Sequence, residues 1–160
     1  NHLFYGSEKL ETVVIGDGLT QAGDWMFNEC YNLKNVTLGD GLTELSDKFF
    51  KIYDHVDDTK DKWIKLERLD TGDGITALPT EVLDGTILKE IVIGDGITSI
   101  ADNQFAYYSK LEKAILGDNI TVIGNKAFYF CSNLSELKLP EKRFDVINPV
   151  KYVEFLKEGK

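Results

Sequence analysis

The sequence predicts an α/β solenoid: a stack of about six short coils on one core, with a parallel sheet on one face and short helices on the other. Three observations carry this. Leucines return in phase at Leu10, Leu33, Leu66, Leu88, Leu111 and Leu134, spaced 23, 33, 22, 23 and 23 residues apart, so that the 33 is one period with ten residues inserted. A phrase recurs once per period, as IGDGLT (15–20), LGDGLT (38–43), TGDGIT (71–76), IGDGIT (93–98) and LGDNIT (116–121). An Asp, Asn or Thr stands at one fixed column, three residues before an aromatic or leucine. Units of this length cannot bury an apolar face alone, so consecutive units must stack and share a core.

Each element follows from its column, counted from the unit's leading leucine. Position 4 holds Val13, Val36, Leu69, Ile91, Ala114 and Leu137, and position 6 holds Ile15, Leu38, Thr71, Ile93, Leu116 and Leu139. With mostly polar neighbours at positions 3 and 5, this alternation is a strand with one buried face. The glycine phrase then reads as a corner. Position 7 is Gly16, Gly39, Gly72, Gly94, Gly117 and Pro140, and since proline fixes φ near −65°, a positive φ is not required there. Position 9 is Gly18, Gly41, Gly74, Gly96 and Asn119, a pairing that suggests a left-handed residue after a type I turn. The threonine that follows is placed to bond along the stack.

Position 10 (Leu19, Leu42, Ile75, Ile97, Ile120), position 13 (Ala22, Leu45, Leu78, Ile100, Ile123, Val146) and position 18 (Phe27, Phe50, Leu83, Phe105, Phe128) complete the core columns. Position 15, with Asp24, Asp47, Thr80, Asp102, Asn125 and Asn148, offers an N-cap in every unit, so a short helix is expected to start there. Residues 1–9 read as a partial unit, with Asn1 at position 15 and Phe4 at position 18, so the chain opens within a unit. A fragment lacking upstream units and a shortened N-terminal cap are the two readings. About 141–160, Asn148–Pro149 followed by VKYVEFLKEG suggests a C-terminal capping helix. The whole of 1–160 then reads as one domain, with the insertion inside 51–65.

Composition excludes several functions. Of 160 residues 42% are hydrophobic and 28% charged, which fits a folded, water-exposed chain. No apolar run is long enough to span a bilayer, so this segment is not expected to insert into a membrane. The first residues show no signal-peptide pattern. Net charge is −9, with no basic cluster, which argues against a nucleic-acid partner. The two histidines and two cysteines form no metal-ligand motif, and no nucleophile–base set or phosphate-binding loop is present, so neither an enzyme nor a cofactor is expected.

The segment LEKAILGDNITVIGNKAFYFCSNLSELKLP (111–140), with Ala127, Phe128 and Cys131 in an A-F-x-x-C frame and Pro140 at position 7, resembles the BspA-type leucine-rich repeat family. The resemblance extends over residues 1–140. It implies a curved, right-handed leucine-rich-repeat solenoid with the sheet on its concave side. It also implies a bacterial cell-surface or secreted protein acting in adhesion or protein binding, with no catalytic residues to carry over. Glycine at position 7 and the insertion depart from the family pattern.

Three groups are candidate sites. On the expected concave face, Arg68, Glu90, Val92, Lys113 and Ile115 are candidate contacts for a protein or glycan, Val92 and Ile115 forming an exposed apolar spot. In the insertion, Tyr53, His55 and Trp63 are candidates because insertions in solenoids often bind, and Trp63 and Ile64 rejoin or cover the core. Asp17, Asp40, Asp73, Asp95 and Asp118 form a like-charge ladder that either stays solvated or binds a cation such as calcium. Its spacing is not that of a calcium loop. A spacer role within a larger array is the alternative to binding.

Opposite charges at positions 2 and 3 of successive units (Glu11, Lys34, Glu67, Lys89, Glu112; Arg68, Glu90, Lys113, Glu136) should fix the strand register. Cys30 and Cys131 share an inward column four units apart, roughly 19 Å at ~4.8 Å per strand, too far for a disulfide.

Overall fold

A computed structural model describes residues 3–51 and 64–140. The expected capping helix (141–160) and the insertion candidates Tyr53, His55 and Trp63 lie outside these residues.

Six three-residue strands take the predicted positions 3–5: β1 (Thr12–Val14), β2 (Asn35–Thr37), β3 (Arg68–Asp70), β4 (Glu90–Val92), β6 (Lys113–Ile115) and β8 (Glu136–Lys138). They form one parallel sheet in the order β1-β2-β3-β4-β6-β8, each residue facing its column partner, as in Val13↔Val36↔Leu69↔Ile91↔Ala114↔Leu137. A second, two-stranded parallel sheet pairs β5 (Ser99–Ile100) with β7 (Val122–Ile123) at positions 12–13. The register holds across the insertion, which leaves Phe49, Phe50 and Ile64 buried on either side of it.

The core is one continuous cluster built from positions 1, 4, 6, 10, 13, 17, 18 and 21, with Met26, Phe49, Val82 and Ala127 at position 17. Phe27 is fully buried between Phe4 and Phe50, its ring stacked on both at 5.3 and 5.6 Å, and Phe105 stacks on Phe128 at 5.2 Å. Thr71, the polar member of an apolar column, is fully buried and satisfied: its hydroxyl donates to the Gly72 carbonyl and accepts from Gly94 N–H at 2.9 Å. Leu139, expected inside at position 6, is instead 39% exposed just after the last described strand.

The expected short helices do not form: among the described residues there is no helix. Positions 15–21 are instead chains of turns. Three coils have two residues at positive φ, at position 16 (Trp25 52°, Asn103 57°, Lys126 55°) and position 20 (Glu29 63°, Tyr107 67°, Phe130 56°), and glycine takes a positive φ at position 20 in two more (Gly6 68°, Gly85 80°). A left-handed residue ends a helix, and two of them four apart leave no room for a turn of one. The backbone bonds across coils instead, as in Asn103 N–H to Asn125 O, Phe105 N–H to Ala127 O and Tyr107 N–H to Tyr129 O (2.9, 2.7 and 2.7 Å). The position-15 acceptor is used across coils too. The Asp102 carboxylate accepts from Asn125 N–H at 2.6 Å, and that of Asp24 accepts from the Ser46 hydroxyl.

The corner is a turn, as the phrase suggests, closed by N–H of position 10 on the carbonyl of position 7 (Leu19 on Gly16, Leu42 on Gly39, Ile97 on Gly94, Ile120 on Gly117). Its glycines serve a different purpose from the one expected. Those of position 9 do not adopt positive φ; in the corner only Gly72 at position 7 does, at 59°. Gly41, Gly74 and Gly96 are required by close approach. A Cβ on Gly41, Gly74 or Gly96 would lie 1.7, 2.1 and 2.1 Å from a backbone carbonyl oxygen of the preceding coil. Asn119 answers the same oxygen differently, donating its carboxamide N–H to Asp95 O at 2.9 Å. The threonines bond along the stack, Thr76 to Thr43 O and Thr121 to Thr98 O through both N–H and hydroxyl.

Candidate functional site

The outward face of the six-stranded sheet gathers all five expected contacts on three adjacent strands. Arg68 opens β3, Glu90 and Val92 flank β4, and Lys113 and Ile115 flank β6. In each strand the middle residue is buried and its two neighbours point away from the core. Arg68 is the hub. Its guanidinium meets Asp70 at 3.1 Å along its own strand and Glu90 at 3.5 Å on the next. Lys113 pairs onward with Glu136 at 3.3 Å. The expected charge alternation is also seen in Glu11–Lys34 and Glu67–Lys89, both at 3.1 Å. These pairs are exposed or half-exposed, so each contributes tenths of a kcal/mol up to ~1 kcal/mol, and their main effect is on register.

Val92 and Ile115 face each other directly in the register, but both are half-buried rather than exposed. Each lies on an inner strand of the sheet, with a neighbouring strand on both sides. The exposed apolar residue of this row is Val14, 72% accessible at the sheet's first strand. Sequence reasoning missed Asp70 as the second partner of Arg68. Its signal was present in the i, i+2 spacing, which places both side chains on one face of a strand.

The aspartate ladder is a hydrogen-bonding device. Oδ1 of Asp17, Asp40, Asp73 and Asp95 accepts the N–H of Asp40, Asp73, Asp95 and Asp118 in the next coil, at 3.0, 2.8, 2.8 and 2.6 Å. Each carboxylate is therefore aimed at the backbone beside it. Among the described residues no three acidic, histidine or cysteine side chains are gathered in a metal-binding arrangement.

Cys30 and Cys131 are buried free thiols, each donating to the position-18 carbonyl of the preceding coil (Phe4 O at 2.9 Å, Phe105 O at 3.0 Å). Burial raises both thiol pKa values, that of Cys131 to about 11. Tyr108 fills the same column. Its hydroxyl is buried with no hydrogen-bond partner among the described residues, and burial, reinforced by the Asp84 charge, raises its pKa far above 10.0.

A family model for the BspA type leucine rich repeat region matches six copies across residues 1–60 and 61–150. The chain belongs to the BspA-type leucine-rich repeat family. Two solved structures share the fold. A leucine-rich repeat protein from Bacteroides ovatus ATCC 8483 aligns at 20% identity and TM-score 0.53, covering 88% of this chain and 40% of that one. A leucine rich cell surface protein from Faecalibacterium prausnitzii A2-165 aligns at 22% identity and TM-score 0.55, covering 89% of this chain and 34% of that one. This BspA-type chain thus spans well under half the length of either structural relative. No curated protein matches it. No helix of the described residues is long and apolar enough to cross a membrane.

Proposed function

We propose that this chain is a non-catalytic interaction module of a bacterial cell-surface or secreted protein, binding a protein or glycan through the outward face of its sheet. One observation carries the reading: the unbroken register of six strands sets positions 3 and 5 in two parallel rows, centred on Arg68, Glu90, Val92, Lys113 and Ile115. Side chains on such a ladder are pre-ordered, so a ligand meets them at little entropic cost. The cell-surface description of the Faecalibacterium relative supports the location.

The experiment is binding of the chain to a panel of extracellular-matrix proteins and host glycans, with Arg68→Ala and Lys113→Ala beside it. Binding that falls at least about tenfold in these variants supports the reading. A panel that stays silent, or binding that ignores both substitutions, refutes it.

A second reading, a spacer segment of a larger array, has its own support: Arg68, Glu90, Lys113 and Glu136 are occupied with one another. It predicts that a full-length protein keeps its ligand when these coils are exchanged for consensus coils.

A further inference from the structure

The strained backbone and the exposed rings of the last two described coils coincide. Tyr107 and Phe130 hold φ of 67° and 56° at position 20, where two other coils carry glycine, Gly6 and Gly85. Bulky residues are disfavoured in that conformation, so a ring here needs a reason. Both rings point to water, Tyr107 69% and Phe130 52% exposed. They lie parallel, centroids 5.6 Å apart at 6°, and Tyr129 stands edge-on to both at 5.8 and 4.5 Å. In the coil on the other side of Tyr107 the equivalent residue is Gly85, which has no side chain to cover the second ring face. Polar residues stand in the same turn segments. Lys126 Nζ sits 5.3 Å from the Tyr129 centroid, and the exposed Asp84 precedes Gly85.

Open aromatic faces suit a nucleobase, a protein surface or a sugar ring. A nucleobase brings phosphates toward a chain of net charge −9. A protein partner needs more area: three rings offer at most about 450–750 Å² when wholly buried, and these already cover one another, against roughly 800 Å² per partner in a stable interface. A pyranose has one apolar face the size of a single ring, edged by hydroxyls that need donors and acceptors. We propose that Tyr107, with Phe130 and Tyr129, is a stacking platform for the pyranose ring of a neutral oligosaccharide, Lys126 and Asp84 serving its hydroxyls. This site is built from the turn segments, on the far side of the core from the sheet face, and does not depend on that face binding anything.

The test is calorimetric titration of the full chain with three uncharged probes, cellotetraose, mannotetraose and chitotetraose, on wild type, Tyr107→Gly, Phe130→Gly and Tyr107→Phe. At least one saccharide binds the wild type. Tyr107→Gly and Phe130→Gly weaken it about tenfold or more, while Tyr107→Phe retains it. Because glycine accepts the left-handed backbone, Tm holds or rises in both glycine variants. Silence from all three saccharides at millimolar concentration overturns the proposal, as does equal binding by wild type and Tyr107→Gly. A fall in Tm of the glycine variants makes the rings structural and overturns it too. Self-association that Tyr107→Gly abolishes would assign the rings to contacts between copies. Loss of binding in Arg68→Ala alone would move the saccharide to the sheet.

Discussion

Substitution of Gly96 by alanine isolates what the corner glycines do. A Cβ there would lie 2.1 Å from Asp73 O and 2.5 Å from Ile75 O, both backbone atoms of the preceding coil. An ordinary C···O approach is about 3.3 Å, so the coils must part locally by roughly 1.2 Å. The Asp95 N–H bond to the Asp73 carboxylate, 2.8 Å long, is then stretched out of range. Losing a hydrogen bond to a charged group costs about 1.5–3 kcal/mol and overpacking strain about 1–3 kcal/mol. Restricting the unfolded chain returns about 0.4–1 kcal/mol. The net loss is roughly 2–5 kcal/mol, a drop in urea midpoint of about 1–2.5 M for a slope near 2 kcal/mol/M. Gly18 is the internal control: it occupies the same position, has no positive φ, and meets nothing within 4 Å. Gly18→Ala should therefore be neutral or stabilising by up to about 1 kcal/mol. Urea unfolding followed by circular dichroism measures both. Equal midpoints for the two variants would refute close approach as the reason for these glycines.

Three further outcomes follow from the same contacts. Asp95→Ala removes the acceptor of the Asp118 N–H and should destabilise by about 1.5–3 kcal/mol in urea unfolding, while Asp95→Asn keeps an acceptor oxygen and costs less. Cys30 and Cys131 should resist iodoacetamide in the native chain at pH 8 and react on unfolding; because folding raises the Cys131 pKa from 9.0 to about 11, its contribution to stability is full below pH 9 and is lost as pH climbs through 11. Tyr108→Phe removes a buried hydroxyl that has no partner among the described residues, so its urea midpoint should stay level or rise, by about 1 kcal/mol in stability.

Repetition made the strand half of each coil legible. Val13, Val36, Leu69 and Ile91 share one face because the same alternation appears at the same phase, and a one-residue slip would expose the whole row. The turn half was misread because its residues are ambiguous one at a time. Asp102 has the chemistry of an N-cap, yet its carboxylate serves Asn125 of the next coil rather than a helix of its own. Glycine at position 9 fits both a left-handed corner and a close backbone approach, and only the distance to Asp73 O separates them. Nothing in the identities of Trp25, Tyr107 or Phe130 announces a positive φ. For the candidate site, the sequence showed the Arg68–Glu90 pairing through its column order. The ring cluster had a fainter signal, aromatic residues in a column shared with Gly6 and Gly85.

The aspartate rungs all point one way: a carboxylate of one coil reaches the N–H of the coil after it. Excising one period, residues 88–110, would bring Asp118 against the carboxylate of Asp73, donor to acceptor, with no orphan at the seam. Gene recombination in multiples of this period therefore meets no hydrogen-bonding barrier, whereas an inverted coil could not join at all. The number of coils becomes an inheritable dial, turned without rewriting the interior.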